Sequence, residues 1–234
     1  VAGQRGIARC LGRLTAGALG EDHREEIAMR QTLRALALLC IALTGTEAVS
    51  AEKVPSRLNQ AISQDGIDQK LFDEAVLLYS NAARRGHGLA PLSRDPKLSR
   101  VASDQARNMA RLRMHSHALP IKGQSGFKER LDRQSLRYRN AGENIAMNKV
   151  YRLVGRPISM KTSGCAFTYG DTNEPVPIHT YATLARDVVE KWLSSPKHRA
   201  SLLSPSFRRL GSGAGVDPAG VACGDVYLVQ DFAD

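Results

Sequence analysis

The most regular pattern along the chain is a helical repeat of apolar residues, which occurs three times. It predicts helices over about residues 71–85, 96–113 and 178–194. Asp95 and Pro96 favour the start of the second, because an aspartate side chain caps free backbone N–H groups and proline fits the first helical position. The pattern therefore predicts a framework of three long helices.

The C-terminal part of the chain is instead typical of β-structure. Two strands are predicted, at 208–216 and 223–232, and the Asp217-Pro218-Ala219-Gly220 segment between them suits a type I turn. A further strand is expected at 143–150. Helices followed by strands indicate an α+β fold in which helices cover a central antiparallel sheet.

Two further segments interrupt this framework. Residues 120–140 are basic, with a short helix expected near 127–131 and the basic side chains forming a solvated face. Residues 147–177 are rich in Gly and Pro, and they predict a β-rich insertion or a long loop. His87 and His179 are expected to face solvent.

The N-terminal part has the features of a secretory signal. Residues 29–51 combine basic residues, an apolar run of about ten residues and a small-residue exit. That run is shorter than the ~20 residues of a membrane-spanning helix, so we expect cleavage and no transmembrane segment in the mature chain. Residues 1–28 are interpreted as an over-extended start, and 52–69 as a polar lead-in to a domain over 70–234.

The chain is strongly basic, with a formal net charge of +10. In a secreted or periplasmic protein, such a charge favours encounters with anionic cell-wall polymers or lipid head groups. Solubility alone is an equally good interpretation. Nucleic acid is a poor candidate partner, because export argues against it and the sequence contains no recognition motif.

Two cysteines, Cys165 and Cys223, follow the predicted cleavage point. An even pair in an oxidising compartment predicts a disulfide between them. Two separate buried thiols are the alternative.

Several short motifs follow one another in a characteristic order. The opening group comprises Asn81, Arg84, Gly88-Leu89, Pro91-Leu92, Asp95, Leu98, Ala102, Met109-Ala110, Ser116-His117 and Gly123. The central motif is Gly142-Glu143-Asn144-Ile145-Ala146. The closing group comprises Trp192, Ser195-Pro196-Lys197-His198-Arg199, Leu202-Leu203, Pro205, Phe207, Gly211, Gly213 and Val229-Gln230-Asp231-Phe232. Together these motifs, over about residues 72–234, resemble the bacterial form of the CAP superfamily, which includes cysteine-rich secretory proteins, antigens and pathogenesis-related proteins and is also called the SCP-like extracellular domain.

The resemblance implies a three-layer α-β-α sandwich with a central groove. In the family, this groove carries two histidines and often two acidic residues, which can hold a divalent metal. The matching positions are His117, Glu143 and His198, while the second acid falls on Ser195. Asn144 matches a position that is expected to bond backbone or line the groove. The resemblance thus implies a three-residue set, weaker as a metal site than the full one.

The chemistry of this set leaves alternatives open. Two neutral imidazoles and a carboxylate supply three ligands for Zn²⁺ or another divalent metal, with a fourth position open to water. Alternatively, Glu143 accepts hydrogen bonds from its neighbours and ties the layers together. His115 is a second candidate beside His117, although the family match favours His117.

A hydrolase is a further interpretation, since Ser116, Ser194 and Ser195 lie close in sequence to His117 or His198. The sequence contains no Gly-x-Ser-x-Gly elbow that would support it. We therefore expect a secreted binding or interaction module rather than an enzyme, with a His–Glu–His groove that could hold a divalent metal. The alternatives are an apolar lipid- or sterol-binding protein and a metal- or serine-dependent hydrolase.

Overall fold

The computed structural model describes residues 53–153, 155–160 and 165–234. The expected start, 1–28, and the predicted signal peptide, 29–51, lie outside the described residues. The described helices are α1 (Gln69–Gly86), α2 (Pro96–Leu112), α3 (Phe127–Arg133), α4 (Tyr181–Ser194) and α5 (Pro196–Leu202). The described strands are β1 (Ser93–Arg94), β2 (Ala141–Lys149), β3 (Ile158–Met160), β4 (Phe167–Tyr169), β5 (Arg209–Asp217) and β6 (Asp225–Ala233). No helix among these residues is long and apolar enough to cross a membrane.

Four strands form the central sheet, in the order β1-β5-β6-β2. The strands β5, β6 and β2 are antiparallel, as the sequence predicts, while the two-residue β1 adds a parallel pair with β5 that the sequence does not reveal. Strand β2 is one edge of the sheet and β1 the other. The α+β fold is confirmed, with a sheet that is mixed rather than wholly antiparallel.

Alternate residues of β5 and β6 point to opposite faces of the sheet, because side chains alternate along a strand. On one face, Leu210, Leu228 and Phe232 pack against residues of α1 and α4 that include Phe72 and Trp192. The fully buried Trp192 also donates its indole N–H to the carbonyl of Ile145 on β2, at 3.3 Å. This face holds the larger apolar core.

On the other face, α2 lies directly on the backbone of β5. A Cβ atom built on Gly211 would lie 2.0 Å from the backbone nitrogen of Ser99, and one on Gly213 would lie 2.2 Å from that of Ser103. Only glycine allows a helix and a strand to approach so closely. The result is three layers, with α1, α4 and α5 on one side of the sheet and α2 and α3 on the other.

The predicted insertion begins later than expected, because β2 continues to Lys149. Beyond it, β3 and β4 form a two-stranded antiparallel sheet of their own. The predicted disulfide between Cys165 and Cys223 is confirmed, and it connects this insertion to the β5–β6 connection with a Cα–Cα distance of 5.6 Å.

His179, which follows the insertion, is only 1% exposed, so the prediction that it faces solvent is wrong. Its backbone N–H bonds the carbonyl of Val150, just after β2, and its carbonyl accepts the N–H of Ile62. Burial lowers the pKa of its imidazole to about 4.

Removal of the disulfide is expected to lower the free energy of unfolding by about 2–4 kcal/mol, because the bond closes a loop of 58 residues and restricts the unfolded chain. The measurement is urea denaturation of the Cys165→Ser/Cys223→Ser variant beside the parent protein. A reductant should shift the parent protein to the variant's midpoint and leave the variant unchanged. A parent protein whose unfolding is insensitive to reductant, at a midpoint equal to that of the variant, would contradict this expectation.

Candidate functional site

A buried carboxylate binds an exposed imidazole beside the edge strand β2. Glu143 lies on β2, and its side chain is 3% exposed. Its Oε1 accepts a 2.8 Å hydrogen bond from Nδ1 of His117, whose side chain is 55% exposed. Its Oε2 accepts a 2.6 Å bond from Nη2 of the buried Arg130 on α3. Both oxygens of Glu143 are therefore engaged.

The segment that carries His117 is held from both sides. Helix α2 ends at Leu112, and the next residue, Arg113, adopts a left-handed conformation with φ of 54° that ends the helix. Gln105 then donates its side-chain amide to the carbonyl of Ser116, at 2.9 Å, and Arg130 donates to the carbonyl of His117, at 3.0 Å. These bonds fix the backbone on which the exposed imidazole stands.

Arg130 corrects one expectation drawn from the sequence. The basic residues of 120–140 were predicted to form a solvated face, and most are exposed, yet Arg130 is buried. Its guanidinium bonds the carboxylate of Glu143 and two backbone carbonyls, which compensates for the loss of water around the charge. Sequence spacing contains no signal for this role, because it depends on where α3 docks.

Asp231 is a second buried carboxyl group at this site, and the sequence pattern identifies it only as part of a motif. It lies opposite Glu143 in the pairing of β2 with β6 and is 0% exposed. Within the described part of the chain, neither of its oxygens has a hydrogen-bond partner. Burial raises the pKa of Asp231 well above its ordinary value, and the neighbouring charge of Glu143 raises it further. An aspartate within the mostly apolar run 226–233 is the available signal.

His198 stands on α5, on the opposite face of the sheet from Glu143. Asn144 connects it to β2, since its side-chain amide donates to the carbonyl of His198 at 3.1 Å and to Gln230 at 3.3 Å. Gln230 in turn donates to Ser80 of α1 at 2.8 Å. Asn144 is thus 1% exposed and bonds backbone, in keeping with the structural role expected for it, while its neighbour Glu143 faces the other layer.

Two of the three imidazoles near the edge of β2, those of His198 and His115, have lowered pKa values. Burial lowers the pKa of His198, and the charge of His117 lowers it further. His115 behaves likewise, since burial and the charges of His117, His198 and Lys191 lower its pKa. The neutral forms of His198 and His115 are therefore favoured at neutral pH, which leaves a ring nitrogen on each free to accept a proton or a metal. His115 belongs to this group, although the sequence favoured His117 over it.

The serines considered for a hydrolase have other partners. Ser116 accepts a backbone N–H from Ala118 at 3.1 Å, and Ser194 donates to the carbonyl of Lys191 at 2.8 Å. Ser195 lies at the junction of α4 and α5, where Pro196 begins the second helix. In the described residues, none of these hydroxyls forms a hydrogen bond with a histidine, so no serine–histidine pair is assembled for acyl transfer.

The described residues contain no group of three His, Cys, Asp or Glu side chains arranged to hold a metal ion. The three-ligand set of His117, Glu143 and His198 is therefore not preformed, and each oxygen of Glu143 already accepts one hydrogen bond. The arrangement instead resembles a carboxylate that orients a histidine through Nδ1 and leaves Nε2 outward, as carboxylates commonly do behind metal-binding histidines.

The sequence profile of the cysteine-rich secretory protein family, CAP, matches residues 77–232. The chain belongs to the CAP family. The matched region extends from α1 to β6, so it contains His117, Glu143 and Arg130 as well as every strand of the central sheet.

Two relatives from Bacillus subtilis resemble this CAP protein. YkwD is 27% identical over 142 residues, which cover 61% of this chain and 42% of YkwD. The membrane protein YlbC is 28% identical over 145 residues, which cover 62% of this chain and 32% of YlbC. The chain therefore spans less than half the length of these curated relatives.

Among solved structures, the chain is similar to an extracellular SCP-domain protein from Bacillus anthracis, with 22% identity, a TM-score of 0.48 and coverage of 70% of this chain and 40% of that one. An outer surface protein of Borrelia burgdorferi has 18% identity, a TM-score of 0.46 and coverage of 71% of this chain and 96% of that one.

Proposed function

We propose that this CAP protein is a secreted or periplasmic binding module whose groove at the edge of β2 takes up a divalent metal weakly through His117 and His198. Weak uptake follows from the ligand count, because two imidazoles leave the remaining coordination positions to water. Zn²⁺ held in this way would offer open positions to donor atoms of a partner molecule.

The observation that supports this proposal best is the bond between His117 and Glu143. A buried carboxylate, held in place by Arg130, accepts the Nδ1–H of an exposed imidazole and so presents Nε2 to solvent as an acceptor. When the tautomer and orientation of a histidine are fixed before binding, less side-chain conformational entropy is lost on binding, and the affinity for a ligand is higher. A purely structural histidine does not need an exposed, oriented ring nitrogen.

The second observation is electrostatic. The pKa values of His198 and His115 are both lowered, so these imidazoles are neutral, the form that metals bind, under conditions where an ordinary histidine is partly protonated. Metal uptake should therefore weaken as the pH falls and protons compete for the same nitrogens.

Calorimetric titration with Zn²⁺ and with Cu²⁺ tests the proposal. The unmodified protein should bind, and His117→Ala and His198→Ala should each bind at least about tenfold more weakly, since each loses one of two ligands. Glu143→Gln should bind about 10–100-fold more weakly, because it loses the carboxylate that orients His117. Circular dichroism verifies that each variant is folded.

His87→Ala is the matched control. His87 is also exposed, but it caps the end of α1 and bonds the carbonyl of Ala83 and the side chain of Arg199. This control should bind metal as the unmodified protein does. A loss in His87→Ala equal to that in the groove variants, or no uptake by the unmodified protein, would overturn metal binding at the groove.

A further inference from the structure

A second cleft, of 640 Å³, lies at the β1 edge of the sheet, opposite the edge that carries the groove. With strands about 4.8 Å apart, the two outer strands of this four-stranded sheet are separated by about 14 Å. We call it the β1-edge cleft, and its charged lining residues are Arg94, Asp95, Lys97, Arg100, Arg137 and Arg209. Five cations thus surround one carboxylate, in a site that does not depend on the proposed metal groove.

The one carboxylate in this lining, that of Asp95, already has hydrogen-bond partners on both oxygens. Asp95 caps α2, because its Oδ1 accepts the backbone N–H groups of Lys97 at 2.8 Å and Leu98 at 3.3 Å. Its Oδ2 accepts a 2.7 Å bond from Arg209. Arg209 is also committed, since it donates to the carbonyls of Arg137 and Asp234. Asp95 and Arg209 therefore form part of the cleft wall. The carboxylate of Asp95 neutralises Arg209, so no carboxylate of the lining pairs with the other cations.

The other cations of the lining have N–H groups without a hydrogen-bond partner among the described residues. Arg100 and Arg137 are exposed, and among the described residues neither side chain forms an ion pair or a hydrogen bond. Arg94 bonds Asp73 through Nε, which leaves its two terminal nitrogens available. Lys97 donates once, to the carbonyl of Ser135 at 3.1 Å. Lys97, Arg100 and Arg137 thus lie together without an acidic partner among the described residues, which favours the binding of an anion.

These donors approach the cleft from three parts of the fold. Arg94 belongs to β1, Lys97 and Arg100 to the first turns of α2, and Arg137 to the segment that leads into β2. A tetrahedral phosphate presents oxygens in all these directions, whereas a carboxylate presents two oxygens in one plane. Guanidinium groups also match the spacing of phosphate oxygens in paired hydrogen bonds.

A smaller cleft of 390 Å³ continues from the first one along α2. The two share Arg94 and Arg100, and the continuation adds Lys70 and Arg107. Lys70 has no side-chain partner among the described residues, while Arg107 pairs with Asp104. Because an α-helix rises about 1.5 Å per residue, Lys97 and Arg107 are about 15 Å apart along the axis of α2, which is room for a ligand with more than one phosphate.

We propose that the β1-edge cleft is a phosphate-binding site, in which Arg100 and Arg137 supply the main uncommitted charges and Arg94 and Lys97 supply further donors. The chemistry is shared by a phospholipid head group and by a soluble phosphate-bearing molecule. The two sources differ in whether a vesicle surface is needed, so the experiment has one arm for each.

The test compares the purified protein with Arg100→Gln/Arg137→Gln. One arm titrates tripolyphosphate by calorimetry at low salt, and the other measures co-sedimentation with vesicles of phosphatidylcholine containing phosphatidylglycerol. The variant should bind the phosphate probe at least about tenfold more weakly, because it loses two charge-assisted contacts. Both side chains are exposed and unbonded, so the variant should unfold at the same temperature as the unmodified protein.

The matched control is Lys122→Gln/Arg133→Gln, which also removes two positive charges, but from exposed positions outside both clefts. Its binding should change by less than about twofold, the size expected from net charge alone under screening. Loss in both arms for the cleft variant assigns the site to a lipid phosphate, and loss with tripolyphosphate alone assigns it to a soluble one. Equal losses in the two variants, or no binding of either probe, would overturn the proposal.

Discussion

Replacement of Gly213 with Ala is expected to lower the free energy of unfolding by more than about 4 kcal/mol. A Cβ at this position would lie 2.2 Å from the nitrogen of Ser103 and 2.4 Å from the carbonyl carbon of Ala102, both in the backbone of α2. A backbone cannot move aside as a flexible side chain can, so α2 would have to lift from the sheet. Lifting it would open the contact of Ala106 and Met109 with Tyr227 and Val229.

Urea denaturation followed by circular dichroism measures this effect, with Gly86→Ala as the control. Gly86 is the last residue of α1, and nothing lies within 4 Å of the position that its Cβ would take. The control should change the free energy of unfolding by no more than about 1 kcal/mol, in the stabilising direction, because alanine favours a helix and restricts the unfolded chain. A Gly213→Ala protein as stable as the control would contradict the close approach of α2 and β5.

Replacement of Arg130 with Met is expected to lower the free energy of unfolding by about 3–5 kcal/mol at neutral pH. Met fills much of the space of the arginine stem but leaves the buried carboxylate of Glu143 without its 2.6 Å partner. The guanidinium charge also lowers the pKa of the neighbouring Asp231, so its removal would raise that pKa further. Two carboxyl groups would then share a site from which water is excluded.

The loss of stability caused by Arg130→Met should depend on pH. A carboxyl group whose pKa is raised in the folded state costs stability above its unfolded pKa and costs nothing below it, where both states are protonated. Since the Arg130→Met variant raises the pKa of Asp231, its loss of stability should be larger at pH about 7.5 than at pH about 4. Urea denaturation at the two pH values measures the difference.

Two further variants separate this effect from simple loss of packing. Arg133→Met changes an exposed arginine of the same helix and should alter stability by no more than about 0.5 kcal/mol. Asp231→Asn in the Arg130→Met background should recover part of the loss, because it removes one of the two unpaired carboxyl groups. If Arg130→Met costs no more than Arg133→Met at neutral pH, the charge of Arg130 does not hold the site together.

Local signals in the sequence predicted most of the elements correctly. The Asp95-Pro96 pair starts α2, and the side chain of Asp95 caps it as expected. The predicted turn after β5 is also present, since the N–H of Gly220 bonds the carbonyl of Asp217 at 3.1 Å. Strand β6 nevertheless begins at Asp225, two residues later than predicted, because the connection continues through Ala222 and Cys223 in left-handed conformations. Left-handed conformations are uncommon for residues other than glycine, so neither Ala222 nor Cys223 signals this continuation in the sequence.

At the candidate site, the order of motifs located His117, Glu143, Asn144 and His198, and the structure brings them to one edge of the sheet. Motifs could not assign the partners, however. Glu143 uses both oxygens for His117 and Arg130, and Asp231 is buried across from it. Whether these side chains hold a metal stays a prediction, because ligand geometry depends on distances that spacing along a chain does not determine.

The sequence by itself determined most of the elements of this protein, its family and the pairing of Cys165 with Cys223, because caps, turns, periodicity and motif order act over short distances or survive as patterns. Only the tertiary structure decided that Arg130 is a buried counter-charge rather than part of a solvated face. It also decided that the cations of the β1-edge cleft lie around one carboxylate, Asp95, which already bonds Arg209. Both features depend on segments that are distant in sequence, and the charge of a buried or clustered group is set by what surrounds it in space.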